Sequence, residues 1–455
     1  MNGITIYEFD ALIDETRNPA GGDGLHVIPA KVYTWLEEQC LGADEGARWL
    51  KLTQRSKCPA IQVTSHVGVI RAPNGYQIEV LPKVGKVVGG DAAEARQLLI
   101  DMLCCLRGFR HIQTESAKLA AARMPLLEVF IAEFLRSVEA VVKHGLRGDY
   151  SIRRENLFAL RGKLLMSSHL RQNLLRADRF FTEHDEFSAN RPENRLLHAA
   201  LRRVLHLSVS QENQRLGRML AFAFGDVPPS DTPAIDFQRV RLDRGMDYYT
   251  EGLAWARLIL DETSPLTGVG RHHAPSLLFP MEAVFEAFVA RHLERQLAPP
   301  SILKMQVYGH HLVRHRGQDW FRMIPDLLIQ EAGRNLAALD TKWKLLDGRK
   351  SSGWEKYGLS QADFYQLHAY GLSYLNGQGD LVLIYPKTAT FEKPLPVFEF
   401  PKPEGLRLWV LPFCLKTRQL LIHEEAPFAR QFSDRKKIRQ FARPEESPNN
   451  RSAIS

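Results

Sequence analysis

Two aspartates and a lysine stand where two strand-like segments begin and end. Pro325-Asp326 opens the apolar run IPDLLIQ, and Asp340-Thr341-Lys342 closes a second apolar run that follows Gly333. Carboxylate oxygens are the ligands that a hard cation such as Mg²⁺ prefers, and a bound Mg²⁺ can lower the pKa of water and polarise a phosphate oxygen. A lysine beside such a site can position the water or stabilise the charge that develops on the phosphate. These residue types therefore predict metal-dependent phosphodiester hydrolysis, with Mn²⁺ as a possible substitute for Mg²⁺.

The geometry of this site depends on the loop between the two segments. If they are antiparallel strands, Asp340 and Lys342 share one face, about 6.7 Å apart along the strand. A three-residue loop, Ala332 to Arg334, places Asp326 opposite Asp340, whereas a two-residue loop shifts the register and separates them. The sequence leaves this choice open. The alternative interpretation is that both aspartates only terminate strands and that Lys342 is a solvated charge, since a D-x-K triplet occurs by chance about once or twice in a chain of this length.

Composition indicates an ordinary globular protein. The chain has 455 residues, of which 44% are hydrophobic, which suits two or three domains with real cores. Its five cysteines show no CxxC spacing, so neither a disulfide framework nor a cysteine-rich zinc site is expected. The N-terminus lacks the pattern of a signal peptide, and no apolar run reaches the length of a membrane span. We expect a cytoplasmic protein with no membrane partner.

Patterning along the chain predicts an α+β multidomain fold. Residues 1–112 are expected to form a β-rich N-terminal module, and residues 113–270 a basic helical region in which one helix ends at Gly145. Residues 271–416 alternate helix and strand, which is typical of an α/β domain with a sheet covered on both faces. Residues 417–455 form a basic tail whose end is expected to be disordered.

The clearest hairpin signal is VGVIRAPNGYQIEVLPK, Val67 to Lys83, in which Asn-Gly separates two β-rich runs. We expect this hairpin to project as a stiff, polar-ended element that binds a partner, with four residues at its tip in contact: Arg71, Asn74, Gly75 and Tyr76.

Positive charge is concentrated in the middle of the chain. Residues 151–220 carry 13 Lys or Arg against 7 Asp or Glu, and all but one of the thirteen are arginines. The arginine fork suits phosphate, so a polyanion such as double-stranded DNA is a plausible partner, although a solvated helical face would explain the same charges. The candidate phosphate contacts are Arg153, Arg154, Arg161 and Lys163.

Several stretches together resemble a known family. The segment IPD…LDTK resembles the PD-(D/E)xK nuclease superfamily, and the wider set resembles the McrC family, the nuclease subunits of McrBC modification-dependent restriction systems. The stretches lie between residues 67 and 371: VGVIRAPNGYQIEVLPKVG, ENLFALRGKLL, HDEFSANRPENRLLHAAL, FEAFV, IPDLLI, LDTKWK and FYQLHAYG.

This resemblance implies a role for each matching residue. Asp326 and Asp340 stand at the metal-binding positions, and Lys342 joins them at the catalytic positions. Glu286 in FEAFV matches the acidic residue of the preceding helix, although Glu282, one helical turn earlier, could share or replace its role. Gln366 in FYQLHAYG matches a polar residue of the helix behind the sheet.

The resemblance also implies a partner and a substrate. McrC-like proteins act with an McrB-like AAA+ GTPase hexamer that binds the GTP, recognises DNA containing modified bases such as 5-methylcytosine, and is stimulated by the nuclease subunit. This chain has no GxxxxGK[ST] motif, so GTP is not expected to bind to it. Two other functions stay open: a free-standing PD-(D/E)xK nuclease of repair or recombination, and a non-catalytic adaptor of an AAA+ motor.

Three histidines form a further candidate metal site. His310, His311 and His315 could ligate zinc if they lay on a helix, but VYGHHLVRHRG has a glycine beside the pair and no acidic partner close by. Surface histidines or DNA-facing donors are the favoured interpretation.

Overall fold

The computed structural model describes residues 3–16, 22, 24–42, 49–55, 57–84, 91–106, 124–260, 277–423 and 425–432. These residues form a mixed α/β protein with several sheets, which confirms the predicted mixture of helix and strand. In these ranges the α-helices, α1 to α10 in chain order, are Ala30–Gly42, Ala92–Leu103, Leu126–His144, Met166–Asn173, Pro192–Leu207, Gln211–Ala223, Pro233–Arg239, Thr250–Leu260, Met281–Gln296 and Gln361–Tyr374. Within them, none is long and apolar enough to cross a membrane.

The strands of the described residues fall into five sheets. In chain order, β1 to β20 are Gly3–Tyr7, Ala11–Asp14, Leu25–Ile28, Leu50–Arg55, Cys58–Val63, His66–Arg71, Gln77–Leu81, Asp149–Leu157, Lys163–Leu164, Phe180–Ser188, Leu277–Pro280, Ile302–Met305, His310–His315, Gln318–Met323, Leu327–Glu331, Arg334–Thr341, Gly379–Pro386, Phe398–Glu399, Leu406–Cys414 and Gln419–Leu420.

The N-terminal region contains two four-stranded sheets, with orders β1-β7-β6-β11 and β3-β2-β5-β4. Strand β11 follows the middle region in the sequence, yet it pairs antiparallel with β6 of the N-terminal sheet. It leads directly into α9. The first amide of that helix, Met281 N–H, donates to Ser65 O at 2.9 Å. Helix α9 is therefore anchored at its first residue to the N-terminal sheet.

The predicted hairpin forms, but it does not project from the protein. Strands β6 and β7 pair antiparallel and lie in the middle of their sheet, with most of their residues buried. Arg71 Nη1 donates to Leu207 O at 3.1 Å, so this side chain also packs against the middle region. Alternation of apolar residues signalled the strands correctly, but it could not show that β1 and β11 flank them on both sides.

The middle region is not helical throughout, which corrects the prediction for residues 113–270. Helices α3, α5, α6, α7 and α8 form most of it, and α3 ends at Gly145 as expected. Between α3 and α5, however, the chain forms a three-stranded sheet, order β8-β10-β9, that carries α4. We call residues 149–188 the arm. Residues 113–123 and 261–276 of this region lie outside the described residues.

The last region is built on a seven-stranded sheet with the order β12-β15-β16-β17-β19-β18 and β20 paired to β19. Strands β16, β17 and β19 are parallel, whereas β15 is antiparallel to β16. Alternate residues of these strands bury into two different clusters: Leu339 packs with α9 residues on one face, and Ala338 packs with α10 residues on the other. The prediction of a sheet covered on both faces is therefore confirmed.

The chain after residue 416 continues into the fold. Leu420, Phe428 and Phe432 are buried in the same large cluster as β16 and α9, so residues 417–423 and 425–432 belong to the folded protein rather than to a tail. Residues 433–455, for which disorder was expected, lie outside the described residues.

A buried polar contact joins the first strand to the end of β16. Glu8 is 2% exposed and accepts hydrogen bonds from Trp343 Nε1, at 2.7 and 3.0 Å to its two oxygens, and from Lys83 N–H at 2.9 Å. Lys83 Nζ in turn donates to Trp343 O at 3.2 Å. We call Glu8, Lys83 and Trp343 the clasp. It holds the N-terminal module against the residue that follows Lys342.

We expect the clasp to make stability depend on pH. Burial, partly offset by the charge of Lys83, raises the pKa of Glu8 from 4.5 to about 7. Because the folded state binds this proton more tightly, the stability is fully present below the unfolded pKa and is lost as pH rises through the folded pKa. Glu8→Gln cannot ionise, yet its carbonyl can still accept both N–H groups. The difference in melting temperature, variant minus wild type, should therefore grow between pH 5 and pH 8 in circular dichroism melts.

The matched control is Glu38→Gln, an exposed glutamate of α1. A difference for Glu8→Gln that stays constant across this pH range would show that Glu8 is not a proton-linked part of the fold.

Candidate active site

The predicted aspartates meet across β15 and β16, by a route that the sequence did not reveal. The turn has two residues, Ala332 and Gly333, with φ of 48° and 80°. Such a turn alone would offset the register, but the ladder shifts by one residue between Ile329 and Gln330, and beyond this bulge Leu327 pairs with Leu339. The same register continued by one residue brings Asp326 opposite Asp340.

Each aspartate is held in a different way. Asp326 Oδ2 accepts hydrogen bonds from the backbone N–H and the hydroxyl of Thr341, both at 2.8 Å. Asp340 is 2% exposed, and its Oδ2 lies 2.5 Å from Lys342 Nζ. Asp326 is thus fixed by neutral donors, whereas Asp340 is fixed by a cation.

Lys342 connects the strand to α10. Its Nζ donates to Gln366 Oε1 at 3.1 Å, and Gln366 Nε2 donates to Tyr370 OH at 2.8 Å. The hydroxyl of Tyr370 then donates to Ile324 O at 3.0 Å, two residues before Asp326. Four of the predicted residues, Asp326, Asp340, Lys342 and Gln366, therefore form one connected network.

Glu286 approaches the same network from α9. Gln306 Nε2 donates to its Oε1 at 3.1 Å, and the backbone N–H of Gln306 donates to Asp326 O at 2.9 Å. The two candidate glutamates interact with different charged residues. Asp326 acts on Glu286, whereas Glu282 is exposed and acts on Glu8 and Lys83 of the clasp. The geometry favours Glu286 at the site.

Burial raises the pKa of three carboxyl groups in this cluster, those of Glu286, Asp340 and Asp326. Burial, followed by repulsion from Asp326, raises the pKa of Glu286 to about 7. The same two causes raise the pKa of Asp340 to about 7, against the opposing attraction of Lys342. Burial also raises the pKa of Asp326, in spite of its hydrogen bonds from Thr341. Burial would lower the pKa of Lys342, but Asp340, Asp363 and Asp326 outweigh it and raise that pKa.

This donor set fits a hard divalent cation. The two facing carboxylates have raised pKa values, and Lys342 supplies only one positive charge to balance them. A bound cation would supply the rest. Among the described residues, no three His, Cys, Asp or Glu side chains converge into a complete metal-binding group. Mg²⁺, which usually takes one or two carboxylates and completes its shell with water and substrate phosphate, matches a two-aspartate site. Asp326 and Asp340 are the residues that would hold it.

The other predicted residues lie away from this network. Arg153 and Arg154 are on β8 of the arm, where they form ion pairs with Glu186 at 2.9 Å and with Glu183 at 2.6 Å. Arg161 and Lys163 are exposed in the same arm. At the hairpin tip, Asn74 is exposed, and its Oδ1 accepts from Tyr76 N–H at 3.1 Å.

Asp363 was missed by sequence reasoning. Its Oδ1 lies 3.8 Å from Lys342 Nζ, and its Oδ2 accepts from Tyr385 OH at 3.2 Å. A spacing signal existed, because Asp363 precedes Gln366 by three residues and so lies on the same face of α10. Gln306 carried no signal, since it precedes β13 in a segment without a recognisable pattern.

Comparison with known proteins identifies relatives in one family. The family described as "McrBC 5-methylcytosine restriction system component" matches residues 61–386. No curated protein matches the chain.

Two solved structures are similar to this chain. A chain of the refined half-complex from the tetradecameric assembly of Thermococcus gammatolerans McrB AAA+ hexamers with bound McrC is 21% identical, with a TM-score of 0.62 over 90% of this chain and 94% of that one. A chain of the cryo-EM structure of the Thermococcus gammatolerans McrBC complex is 24% identical, with a TM-score of 0.48 over 64% of this chain and 87% of that one. The first likeness shows a shared fold over nearly the whole length of both chains.

Binding of a divalent cation should strengthen as pH rises. The raised pKa of Asp340, about 7, leaves this carboxyl largely protonated below that pH, and a proton competes with a cation for the same oxygens. We therefore expect Mn²⁺ affinity, measured by titration calorimetry, to increase from pH 6 to pH 8 and then to level off. Asp340→Asn should abolish the binding, and Asp231→Asn, an exposed acid of the middle region, should leave it unchanged. Equal affinity at both pH values would contradict a site built on Asp340.

Proposed function

The chain belongs to the family of McrBC 5-methylcytosine restriction system components, and from that premise we propose that it is the subunit that cuts DNA. The proposed reaction is metal-dependent phosphodiester hydrolysis in double-stranded DNA that contains modified bases. The observation that carries this proposal is the register of β15 and β16, which brings Asp326 and Asp340 together beside Lys342.

Each residue of the network has a proposed part in hydrolysis. Asp326 and Asp340 would hold the cation, and Thr341 fixes Asp326 so that one of its oxygens keeps a set direction. Lys342 donates a hydrogen bond to a phosphate oxygen or to the attacking water and balances charge in the transition state. Gln366 holds the ammonium group of Lys342 in place. When bound, Mg²⁺ supplies Lewis-acid polarisation of the phosphate and acidifies a water molecule.

Glu286 and Asp363 lie at the edges of the network and suit supporting roles. A carboxyl group with a pKa raised to about 7, as in Glu286, can exchange a proton near neutral pH. Asp363 competes with Asp340 for Lys342, so it can hold the amine away from Asp340 when a cation is bound.

The partner in this proposal is an McrB-like AAA+ GTPase hexamer, because the similar solved structure contains McrB AAA+ hexamers with bound McrC. GTP would bind to the partner, since this chain has no Walker-type phosphate loop. We also propose that this chain stimulates the GTPase of that partner.

The arm is the best candidate for the surface that binds the partner. It exposes many large apolar side chains, between 54% and 95% of their area: Tyr150, Ile152, Phe158, Leu160, Met166, Leu170, Leu174, Leu175 and Phe187. Apolar patches of this extent mark interaction sites in soluble proteins. Buried Asn173 of α4 exchanges two hydrogen bonds of 2.8 Å with Asn156 of β8, which joins the helix to the sheet of the arm. The hairpin tip with Arg71, Asn74, Gly75 and Tyr76 is a second, smaller candidate.

The arm also carries the four predicted phosphate contacts. Arg161 and Lys163 are exposed and suited to DNA, whereas the ion pairs of Arg153 and Arg154 with glutamates reduce the charge that those two can offer. We propose DNA contact for Arg161 and Lys163 before the other two.

Catalysis should fail without loss of partner stimulation when Lys342 is removed. In a mixture of chain, partner, GTP and methylated plasmid, Lys342→Ala and Asp340→Asn should each lower cleavage at least about 100-fold. Phosphate release from GTP should stay stimulated, because neither change alters the arm. The matched control, Lys350→Ala, removes an exposed lysine of the loop after β16 and should cut normally.

Two results of that assay would contradict the proposal. Normal cutting by Asp340→Asn would exclude the two-aspartate site. Efficient cutting by the purified chain with Mg²⁺, but without partner or GTP, would favour a free-standing nuclease.

Partner binding should depend on the arm. Leu174 and Leu175 are 78% and 95% exposed, so Leu174→Ser/Leu175→Ser should not unfold the protein but should weaken the complex and the stimulation of GTP hydrolysis about tenfold or more. Size-exclusion chromatography and phosphate release measure the two effects. Met219→Ser/Phe222→Ser, a matched pair of exposed apolar residues on α6, should have no effect. If Asn74→Ala abolishes the complex and the leucine pair does not, the hairpin tip is the binding surface instead.

A further inference from the structure

A two-stranded ribbon stands beside the proposed active site. Strands β13 and β14 pair only with each other among the described strands, and all but two of their twelve residues are exposed. Their turn is Arg316-Gly317, with φ of 49° and 79°, as expected for a tight hairpin turn with both residues left-handed. Six residues per strand give the ribbon a length of about 20 Å. We call residues 310–323 the ribbon.

Two aromatic side chains are held together on the ribbon by an unusual backbone. The ladder pairs His311 with Arg322 and Val313 with Trp320, but it is interrupted at Phe321, which has a φ of 58°. A left-handed φ is rare for a bulky residue, and such strain concentrates at functional sites. Neighbours in a regular strand point to opposite faces, yet the rings of Trp320 and Phe321 are 6.3 Å apart, edge to face. They are 45% and 69% exposed.

The base of the ribbon is fixed to the site. Tyr374 OH shares its proton between Val307 O, just before the ribbon, at 3.0 Å and Met323 O, at the end of the ribbon, at 2.7 Å, so both contacts lie at the base. Tyr370 and Gln366 lie on the same helix, α10, and belong to the network around Lys342. Asp326 follows Met323 by three residues. The position of the ribbon relative to the proposed scissile phosphate is therefore set by one helix.

Charge on the ribbon suits a polyanion. It carries Arg314, Arg316 and Arg322 against one acid, Asp319, and it also carries three histidines. Arg314 and Asp319 form an ion pair at 2.8 Å, which leaves the excess charge to Arg316 at the tip and Arg322 near the base. Like charges on two such ribbons would repel, which disfavours a second copy of the chain as the occupant.

We propose that the ribbon enters a groove of duplex DNA next to the scissile phosphate, with Trp320 and Phe321 against the bases and Arg316 and Arg322 on phosphates. This inference rests on the proposed nuclease function. The major groove accommodates a two-stranded ribbon, and apolar side chains that enter it can contact the exposed edges of the bases. The ribbon would thereby fix the position of the duplex over Asp326 and Asp340 without reading sequence.

The test compares two variants whose effects on DNA binding differ in kind. All chains carry Asp340→Asn, so that DNA is bound but not cut, and are assembled with the partner and GTP on a fluorescent short methylated duplex. Trp320→Ala/Phe321→Ala should weaken binding about tenfold or more at every salt concentration, with the salt dependence unchanged, because apolar contacts with base edges release no counterions. Arg316→Gln/Arg322→Gln should flatten the plot of log affinity against log salt by about two units.

Two controls accompany these variants. Trp320→Phe/Phe321→Tyr keeps both rings and should bind DNA as the parent does. Met219→Ala/Phe222→Ala removes exposed apolar side chains elsewhere and should also bind normally.

Parental affinity of Trp320→Ala/Phe321→Ala would overturn the inference. So would a loss of self-association in sedimentation velocity with DNA binding intact, because the ribbon would then be a contact between copies of the chain. A parent complex that binds no DNA, or that still cuts it, would count against the proposed function itself, so the two failures are distinguishable.

Discussion

Two carboxylates that face each other in a largely buried site repel, and most of the features around this site serve to contain that repulsion. Asp326 receives two hydrogen bonds from Thr341, Asp340 receives the ammonium group of Lys342, and Gln366 holds that ammonium group from α10. Burial, together with the repulsion that these contacts leave uncompensated, raises the pKa values of Asp340 and Glu286. Such a cluster is costly to an isolated fold, and a bound cation would offset that cost. The proposed metal site would thus give this end of the sheet a ligand-dependent stability.

The regions predicted from the sequence share one interior. The largest hydrophobic cluster includes Val67 of the N-terminal sheet, Leu197 of the middle helices, Leu339 of β16 and Phe432 near the last described residue. Strand β11 adds a second link, because it completes the N-terminal sheet and continues into the helix that carries Glu286. A displacement of the N-terminal module would thus be transmitted directly to α9 and, through the clasp, to Trp343. The arm and the ribbon, in contrast, extend from this common body with exposed apolar surface.

Local chemistry was predictable from the sequence, and tertiary placement was not. The helices at α5, α8, α9 and α10 and the paired strands β15 and β16 follow from periodicity, and the residue types at Asp326, Asp340 and Lys342 indicated a metal site. The sequence could not reveal the bulge after Ile329, because the choice between two and three loop residues depends on packing of both strands against α9 and α10. The arm was included in a helical region because the alternation of Tyr150 and Ile152 stops at Arg153 and Arg154, which leaves too short a pattern to indicate a strand. The hairpin at Val67–Lys83 was recognised, but its neighbours come from residues 3–7 and 277–280, too far along the chain for any local pattern to indicate.

The clasp joins residues 335 positions apart, which has a consequence for the order of events during synthesis. On the ribosome, Glu8 emerges long before Trp343, so the N-terminal module must wait, with a solvated and charged carboxylate, until most of the polypeptide has been made. Its first strand can reach its final environment only when β16 has been extruded and paired. Completion of the N-terminal module then coincides with completion of the proposed nuclease site, so a nascent or truncated chain lacking the last sheet would have neither.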